Sequence, residues 1–474
     1  MNVVVDGRLS FAAEACPAKL LAALEHRLSF PNPEHQRRAR AGRSTRGLDE
    51  TVCAVEVDGA GVVRLPRGAV GALRELARAQ GVQLAFEDRR ARRAPLALRC
   101  GIELRPYQRD AVAAICMHLQ GVIVVATGGG KTTIGAAAIA THQQPTLVIT
   151  HTRELVEQWR SAARSILGVE PAVATGGRLE SGPVTIATVQ TLARASAVDL
   201  DALGAQFGCV VVDECHRAPA RMFRQVLEHM PARLRIGLTA TPEREDGMTP
   251  LLGWVFGDTL YRLDHDALFE AGYLRKPRAR VVHTDFAYAY GGPGDRAAML
   301  DALVGSETRN ELVAALVAAE ARAGRTVLVL SDRVGHCHDI VERVHQLGVP
   351  AAALVGPVHA RERARILDEF RSGVLKVVAA TSLADEGLDV PRLSRLVLAF
   401  PGRARGRVVQ RIGRLMRPHP DKHDAVVFDV VDLLVPPLVR AYRARREAYA
   451  TLVESITPFA PADARARGAP ERPP

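Results

Sequence analysis

Three glycines followed by a lysine and a threonine, two adjacent acids ending an apolar run, and two arginines three residues apart are the groups here best suited to chemistry. The first group lies in 121–133, GVIVVATGGGKTT, where 122–125 are β-branched and uncharged and Lys131 opens an Ala-rich stretch. That order reads as strand, loop, helix. Thr127, Gly128, Gly129 and Gly130 leave the backbone nearly bare, so N–H groups can converge on phosphate oxygens beside a helix N-terminus. Lys131 adds a mobile full charge, Thr132 has a hydroxyl suited to Mg²⁺, and Thr133 follows it. Val125 stands where the strict pattern G-x-x-x-x-G-K-[ST] has its first glycine, so the run alone also fits an ordinary tight turn.

The acids are Asp213 and Glu214 in CVVVDECH, 209–216. An apolar strand ending in acids puts them at a sheet's C-terminal edge, where ligands of open α/β sheets bind. Asp213 can hold Mg²⁺ through water, and Glu214 can orient and deprotonate an attacking water. A plain strand cap is the other reading. Cys215 and His216 lack partners at ligand spacing, so no metal is expected on them. The arginines are Arg414 and Arg417 in QRIGRLMR, 410–417. Read as a helix, it puts both on one face a turn beyond Gln410, able to carry guanidinium groups to a γ-phosphate or simply to meet solvent. Upstream, LRPYQ fixes Gln108 at a helix start, where its amide could read an adenine edge. In IGLTATPERED, 236–246, Thr239 and Thr241 could link the nucleotide site to a neighbouring domain.

Parallel sheets must position these groups. Apolar strands alternate with helices at 146–150, 184–188 and 209–213, and again at 326–330, 351–355, 374–380, 396–400 and 425–430, which implies two α/β halves. Residues 1–100 form a small basic module with a hairpin at 52–65 and a helix at 68–80; its densest runs are QRRARAGRSTR (36–46) and RRARR (89–93). The expected order is this module, a first α/β domain at 101–275, a connector at 276–305, a second α/β domain at 306–453 and a disordered tail at 454–474.

Across 474 residues, 63 Lys and Arg against 52 Asp and Glu give a net charge of +11, which favours polyanion binding over a merely basic surface. Seven scattered cysteines never form C-x-x-C, so no disulfide framework, zinc site or iron–sulfur site is expected, and the compartment reads as a reducing cytoplasm. No signal peptide and no uncharged run of about 18 residues is seen, which argues against a membrane.

Taken in order, LRPYQ, ATGGGKT, THTRELVEQW, TIATVQTL, DECH, LTATP, ATSLADEGLDVP and QRIGRLMR resemble the ordered motifs of superfamily 2 helicases over about residues 103–450. Arg244, Glu245 and Asp246 after LTATP, with the basic N-terminal module, resemble the DNA-directed branch that contains XPB and UvsW. The resemblance implies two tandem RecA-like domains of the P-loop NTPase class, closing on ATP and Mg²⁺, with a small α+β module in front whose suggested role is a grip on duplex DNA. It assigns adenine to Gln108, phosphates and Mg²⁺ to Lys131 and Thr132, metal and attacking water to Asp213 and Glu214, and coupling to Thr239 and Thr241. Gly387 and Asp389 match the motif that touches nucleotide from the second domain, and Arg414 and Arg417 match the arginine fingers. Strand contacts fall on Arg153, Thr188, Gln190, Ser331 and Thr381. The partner implied is DNA, with RNA, a duplex translocase that never separates strands, and an ATP-gated clamp as the other readings; oligomeric state is open.

Overall fold

The computed structural model describes residues 1–174, 180–217, 220–242, 246–356, 358–381, 390–402 and 405–459. Contacts divide the chain into two units, 1–126 with 130–263, and 264–474 with 127–129.

The N-terminal strands are β1 (Asn2–Val5), β2 (Arg8–Ala12), β3 (Ser29–Pro31), β4 (Thr51–Cys53), β5 (Glu56–Val57), β6 (Val62–Pro66) and β7 (Ala85–Asp88). β3 and β4 pair alone; the others form one sheet ordered β5-β6-β2-β1-β7. Alternation in β2 and β6 turns Leu9, Phe11, Val63 and Leu65 inward, where helices Ala18–Arg27 and Val70–Ala79 add Leu20, Leu24 and Leu73. The first two strands and the first of these helices carry short, mixed patterns that the sequence reading passed over.

This module is part of the first unit rather than a segment apart. Two buried arginines fasten it to the α/β core through carbonyl oxygens. Arg67 donates from Nε to Gln120 Oε1 at 2.6 Å and from Nη1 to the Ala232 carbonyl at 2.6 Å. Arg235, from the core, donates from Nη2 to the carbonyls of Gly7, Leu227 and Met230 at 2.9–3.1 Å. The backbones meet so closely that a Cβ at Gly7 would lie 2.0 Å from the Glu228 carbonyl oxygen, and one at Gly68 2.4 Å from that of Gly253. The run 89–93 follows the core too: the Ala91 N–H donates to the Pro231 carbonyl, and the Arg93 N–H to Gln144 Oε1.

The first α/β sheet comprises β8 (Gln120–Val125), β9 (Thr146–Thr150), β10 (Ala172–Ala174), β11 (Val184–Thr188), β12 (Cys209–Asp213), β13 (Leu234–Thr239) and β14 (Thr259–Leu263). Its order is β10-β11-β9-β12-β13-β8-β14 with every pairing parallel. β8, β9 and β12 are buried over almost their whole length, as their uncharged runs require between two helical layers.

The second sheet comprises β15 (Arg278–His283), β16 (Val327–Leu330), β17 (Ala351–Leu354), β18 (Val377–Ala380), β19 (Arg395–Leu398), β20 (Val426–Val431) and β21 (Ile456–Pro458). It is ordered β17-β18-β16-β19-β20-β15-β21 and is also all parallel. Two expected boundaries change. The connector placed at 276–305 holds β15, which lies between β20 and β21; Arg278 and Arg280 alternate with buried Ala279, Val281 and Val282, which disguises a core strand as a polar one. The tail placed at 454–474 begins with β21, and Phe459 is buried against Phe428. Residues 460–474 lie outside the described residues. No described helix is long and apolar enough to cross a membrane.

Candidate functional site

Parallel strands end on one edge of the sheet, so β8, β9, β11, β12 and β13 bring their following residues together in the first unit. After β8 the chain turns through Gly128 at φ +93° and Gly130 at φ +80°, a left-handed region open to glycine. Gly130 is the N-cap of the helix Lys131–His142. A Cβ there would also sit 2.7 Å from Gln108 Nε2, so the glycine lets that amide approach the loop. Gln108 Oε1 accepts the Arg105 N–H at the start of the helix Pro106–His118, the N3 half of a capping box, since the Arg105 side chain has no acceptor to supply the other half. The expected adenine reader thus sits beside the loop, with one amide group already used to cap its helix.

Lys131 Nζ lies 3.2 Å from Glu214 Oε1, with both side chains largely buried. Glu214 holds a strained φ of +47°, beyond the strand end of β12. Burial opposes its ionisation, but the Lys131 ammonium, with His216 and Arg217, more than offsets this and keeps the carboxyl below its usual range. For Asp213 burial and the Glu214 charge push the other way, above the usual carboxylate range. Asp213 Oδ1 accepts the Glu214 N–H at 2.9 Å, and Oδ2 accepts the Trp159 indole N–H at 2.8 Å. Thr132 Oγ1 accepts from Gln158 Nε2 at 2.7 Å. Glu214 Oε2 is buried without a hydrogen-bond partner, with His216 Nδ1 3.5 Å away.

The Thr239 hydroxyl donates to the Thr241 carbonyl at 2.6 Å and accepts the Thr241 N–H. With that proton spent, the contact of 2.8 Å to His216 Nδ1 is made by the imidazole N–H. Burial pushes His216 down to about 4, so it is a neutral link between Thr239 and the Glu214 turn. In the sequence His216 stands out only as a potential metal ligand; its tie to Thr239 depends on β12 and β13 being neighbours.

Hard oxygen donors on Thr132 and Asp213, an orphaned carboxylate oxygen on Glu214 and a facing ammonium suit Mg²⁺ with a polyphosphate. Along the same edge, Arg153 is exposed at the first turn of the helix Arg153–Ala162. Thr188 caps the helix Val189–Leu192, and Gln190 Nε2 donates to the His151 carbonyl.

In the second unit Ser331 is buried, contrary to its expected place on a strand-binding surface. Its hydroxyl accepts the Arg333 N–H and bonds His336 Nδ1, whose Nε2 meets Asn310 Oδ1 at 3.0 Å. Thr381 follows β18 with its hydroxyl buried and without a hydrogen-bond partner. The helix Arg405–Leu415 carries Arg414, but Arg417 falls beyond its end, so the two arginines do not share a helix face as expected. Arg417 precedes Pro418, which disfavours helical backbone, and Lys422 Nζ collects the released carbonyls of Leu415 and Arg417. Asp246 turns the chain by accepting the Met248 N–H. Arg244, Glu245, Gly387 and Asp389 lie outside the described residues, as does the side chain of Gln410.

Residues 101–244 match the family model described as type III restriction enzyme, res subunit, and 308–419 match the helicase conserved C-terminal domain. A Halobacterium salinarum protein carrying the name Rad25 is 33% identical over 68% of this chain and 54% of its own length. The DNA 3'-5' helicase XPB of Kineococcus radiotolerans is 30% identical over 70% of this chain and 60% of its own. The chain therefore spans little more than half of these two relatives. Among solved structures, Saccharomyces cerevisiae Dbp5 bound to RNA and ADP BeF3 superposes with a TM-score of 0.58 at 14% identity, covering 76% of this chain and 92% of that one, a likeness of fold.

Proposed function

Because the chain belongs to the superfamily 2 helicases, in the branch of the XPB-type proteins, we propose that it is an ATP hydrolase that translocates on DNA and unwinds or remodels it in repair or recombination in the cytoplasm. The observation that carries this reading is the buried Lys131–Glu214 contact at 3.2 Å, a phosphate-binding ammonium facing a carboxylate at the C-terminal edge of a parallel sheet.

Lys131 and the N–H groups of the loop bind the β- and γ-phosphates, and Gln108 borders the adenine. Thr132 and Asp213 hold Mg²⁺, which when bound supplies charge neutralisation at the phosphates. Glu214 is the base: its low carboxyl pKa keeps it ionised at pH 7, and its orphaned Oε2 is free to accept a proton from the attacking water. Arg414 and Arg417, with Gln410, Gly387 and Asp389, serve the γ-phosphate from the second unit when the two close on ATP, while Thr239 and Thr241, with Arg244, Glu245 and Asp246, report that state through β13. Arg153, Thr188, Gln190 and Thr381 take the sugar-phosphate backbone. Contacts of that kind carry no base information, so sequence preference is weak and binding falls steeply with salt.

ATP turnover measured with single-stranded, duplex and forked DNA and with RNA tests the proposal. Stimulation by DNA is expected; stimulation by RNA alone, or by no nucleic acid, overturns it. Duplex stimulation without strand separation favours a translocase, and DNA binding gated by ATP without turnover favours a clamp.

A further inference from the structure

One helix touches both Mg²⁺-bearing groups. Gln158 and Trp159, neighbours on the helix Arg153–Ala162, donate to Thr132 Oγ1 at 2.7 Å and to Asp213 Oδ2 at 2.8 Å. Successive helical residues point about 100° apart, so a single helix can serve two ligands on different elements. The indole is locked in place: it is 1% exposed, and a Cβ at Gly135 would lie 2.6 Å from its Cη2 and 2.9 Å from Leu238 Cδ1. Gly135 is therefore where the phosphate-loop helix makes room for the ring. Asp213 takes the indole on one oxygen and the Glu214 N–H on the other, which fixes its torsion and leaves further acceptor capacity on each oxygen. Thr132, accepting from Gln158, likewise keeps a lone pair for a cation.

The same helix begins at the nucleic-acid edge. Thr152 caps it by accepting the Leu155 N–H, and Arg153 is exposed in its first turn, about 8 Å along the axis from Gln158 at 1.5 Å per residue. Orienting partners of metal ligands tune affinity as strongly as many direct contacts. We propose that Gln158 and Trp159 are positioning residues that orient Thr132 and Asp213 for Mg²⁺, and that their helix carries contact at Arg153 to the ATP site. This rests on the function proposed above and names a route by which DNA regulates it.

The test uses the full chain with Gln158→Leu and Trp159→Phe, the second keeping a ring without its N–H. Binding of a fluorescent ADP analogue is followed as Mg²⁺ is titrated, which needs no turnover. The Mg²⁺ concentration giving half-maximal binding is expected to rise about 10-fold in each variant, in the range seen when a hydrogen-bond partner of a metal ligand is removed. The ratio of DNA-stimulated to basal kcat is expected to fall several-fold while DNA affinity stays that of the wild type. An unchanged Mg²⁺ dependence in Gln158→Leu, whose partly buried side chain makes misfolding a small risk, overturns the positioning role. Loss of DNA affinity in step with stimulation overturns the relay. If the wild type itself shows no stimulation, the functional reading fails, while the Mg²⁺ titration still decides the positioning role.

Discussion

The two seven-stranded sheets share one architecture and treat buried charge in opposite ways. In the second, Arg309 pairs with Asp432 at 2.8 Å, Arg395 with Glu320 and Asp424, and Arg445 with Asp429 at 2.7 Å, each arginine nearly inaccessible. Those ions neutralise one another within the fold. In the first sheet, Lys131, Asp213 and Glu214 sit at the strand ends with an orphaned carboxylate oxygen and opposed carboxyl shifts. Its other buried cations, Arg67 and Arg235, bond carbonyl oxygens rather than carboxylates, with Arg235 Nε left without a hydrogen-bond partner. Opposite charges paired within the fold are structural, even where a nitrogen such as Arg309 Nη1 is left without a partner; two carboxylates at a strand end facing one ammonium keep net negative charge that suits a cation.

Glu214→Gln sharpens this contrast most. Turnover of ATP is expected to fall by about 10²–10⁴-fold while ATP binding persists, the usual worth of a general base. If Lys131 and Glu214 were only a structural pair, hydrolysis would continue and stability would fall instead. The counterpart in the second sheet, Arg309→Met, leaves Asp432 buried and uncompensated, so urea unfolding should show a loss of about 3–5 kcal/mol. A loss below about 1 kcal/mol contradicts the reading of this pair as an internally completed ion pair.

Arg235→Met tests the carbonyl-satisfied class. Stripping three buried carbonyls of their donor should cost about 1–3 kcal/mol and loosen the N-terminal module, seen as faster limited proteolysis within 1–95. Equal proteolysis would mean that the backbone packing at Gly7 and Gly68 suffices.

A pH series probes His336, which burial holds down to about 4 between Ser331 and Asn310. Its folded pKa lies below the unfolded value, so its stability contribution is complete above about pH 6.5 and is lost as pH falls toward 4, by up to about 1.4 kcal/mol per unit. Unfolding midpoints of the wild type and His336→Asn should converge over that window; parallel curves would show that the histidine does not titrate there.

The smallest effect concerns the N-terminal arginines. Arg37 and Arg38 already pair with Glu34, and Arg89 and Arg90 with Glu87 and Asp88, while Arg40, Arg43 and Arg46 are exposed. Changing those three to Gln should lower DNA affinity several-fold and reduce the salt slope by up to about 3, with unfolding unchanged. An unaltered slope would remove them from the DNA surface.

Local pattern alone carried the order of elements and the residues on which the proposed chemistry rests. Glycines before Lys131, acids ending the run 209–212 and uncharged strands between helices are local patterns, and each follows from what a loop, a strand end or a two-faced sheet demands of its residues. The stop after Leu415 had a local signal in Pro418, but the spacing of Arg414 and Arg417 reads as one helix through 417, and the structure ends it earlier. Neighbourhood was decided by tertiary structure. β15 and β21 read as connector and tail because arginines alternate in one and the other is three residues long; only the pairing of β15 with β20, and of β21 with β15, makes them strands of the core. Ser331 looked available until His336 and Asn310 closed over it, and Gln158 and Trp159 acquired a role only when strand order set their helix beside Thr132 and Asp213. A hydrogen bond between residues 26 or 54 positions apart leaves no periodicity in the chain, so the fold alone can state it.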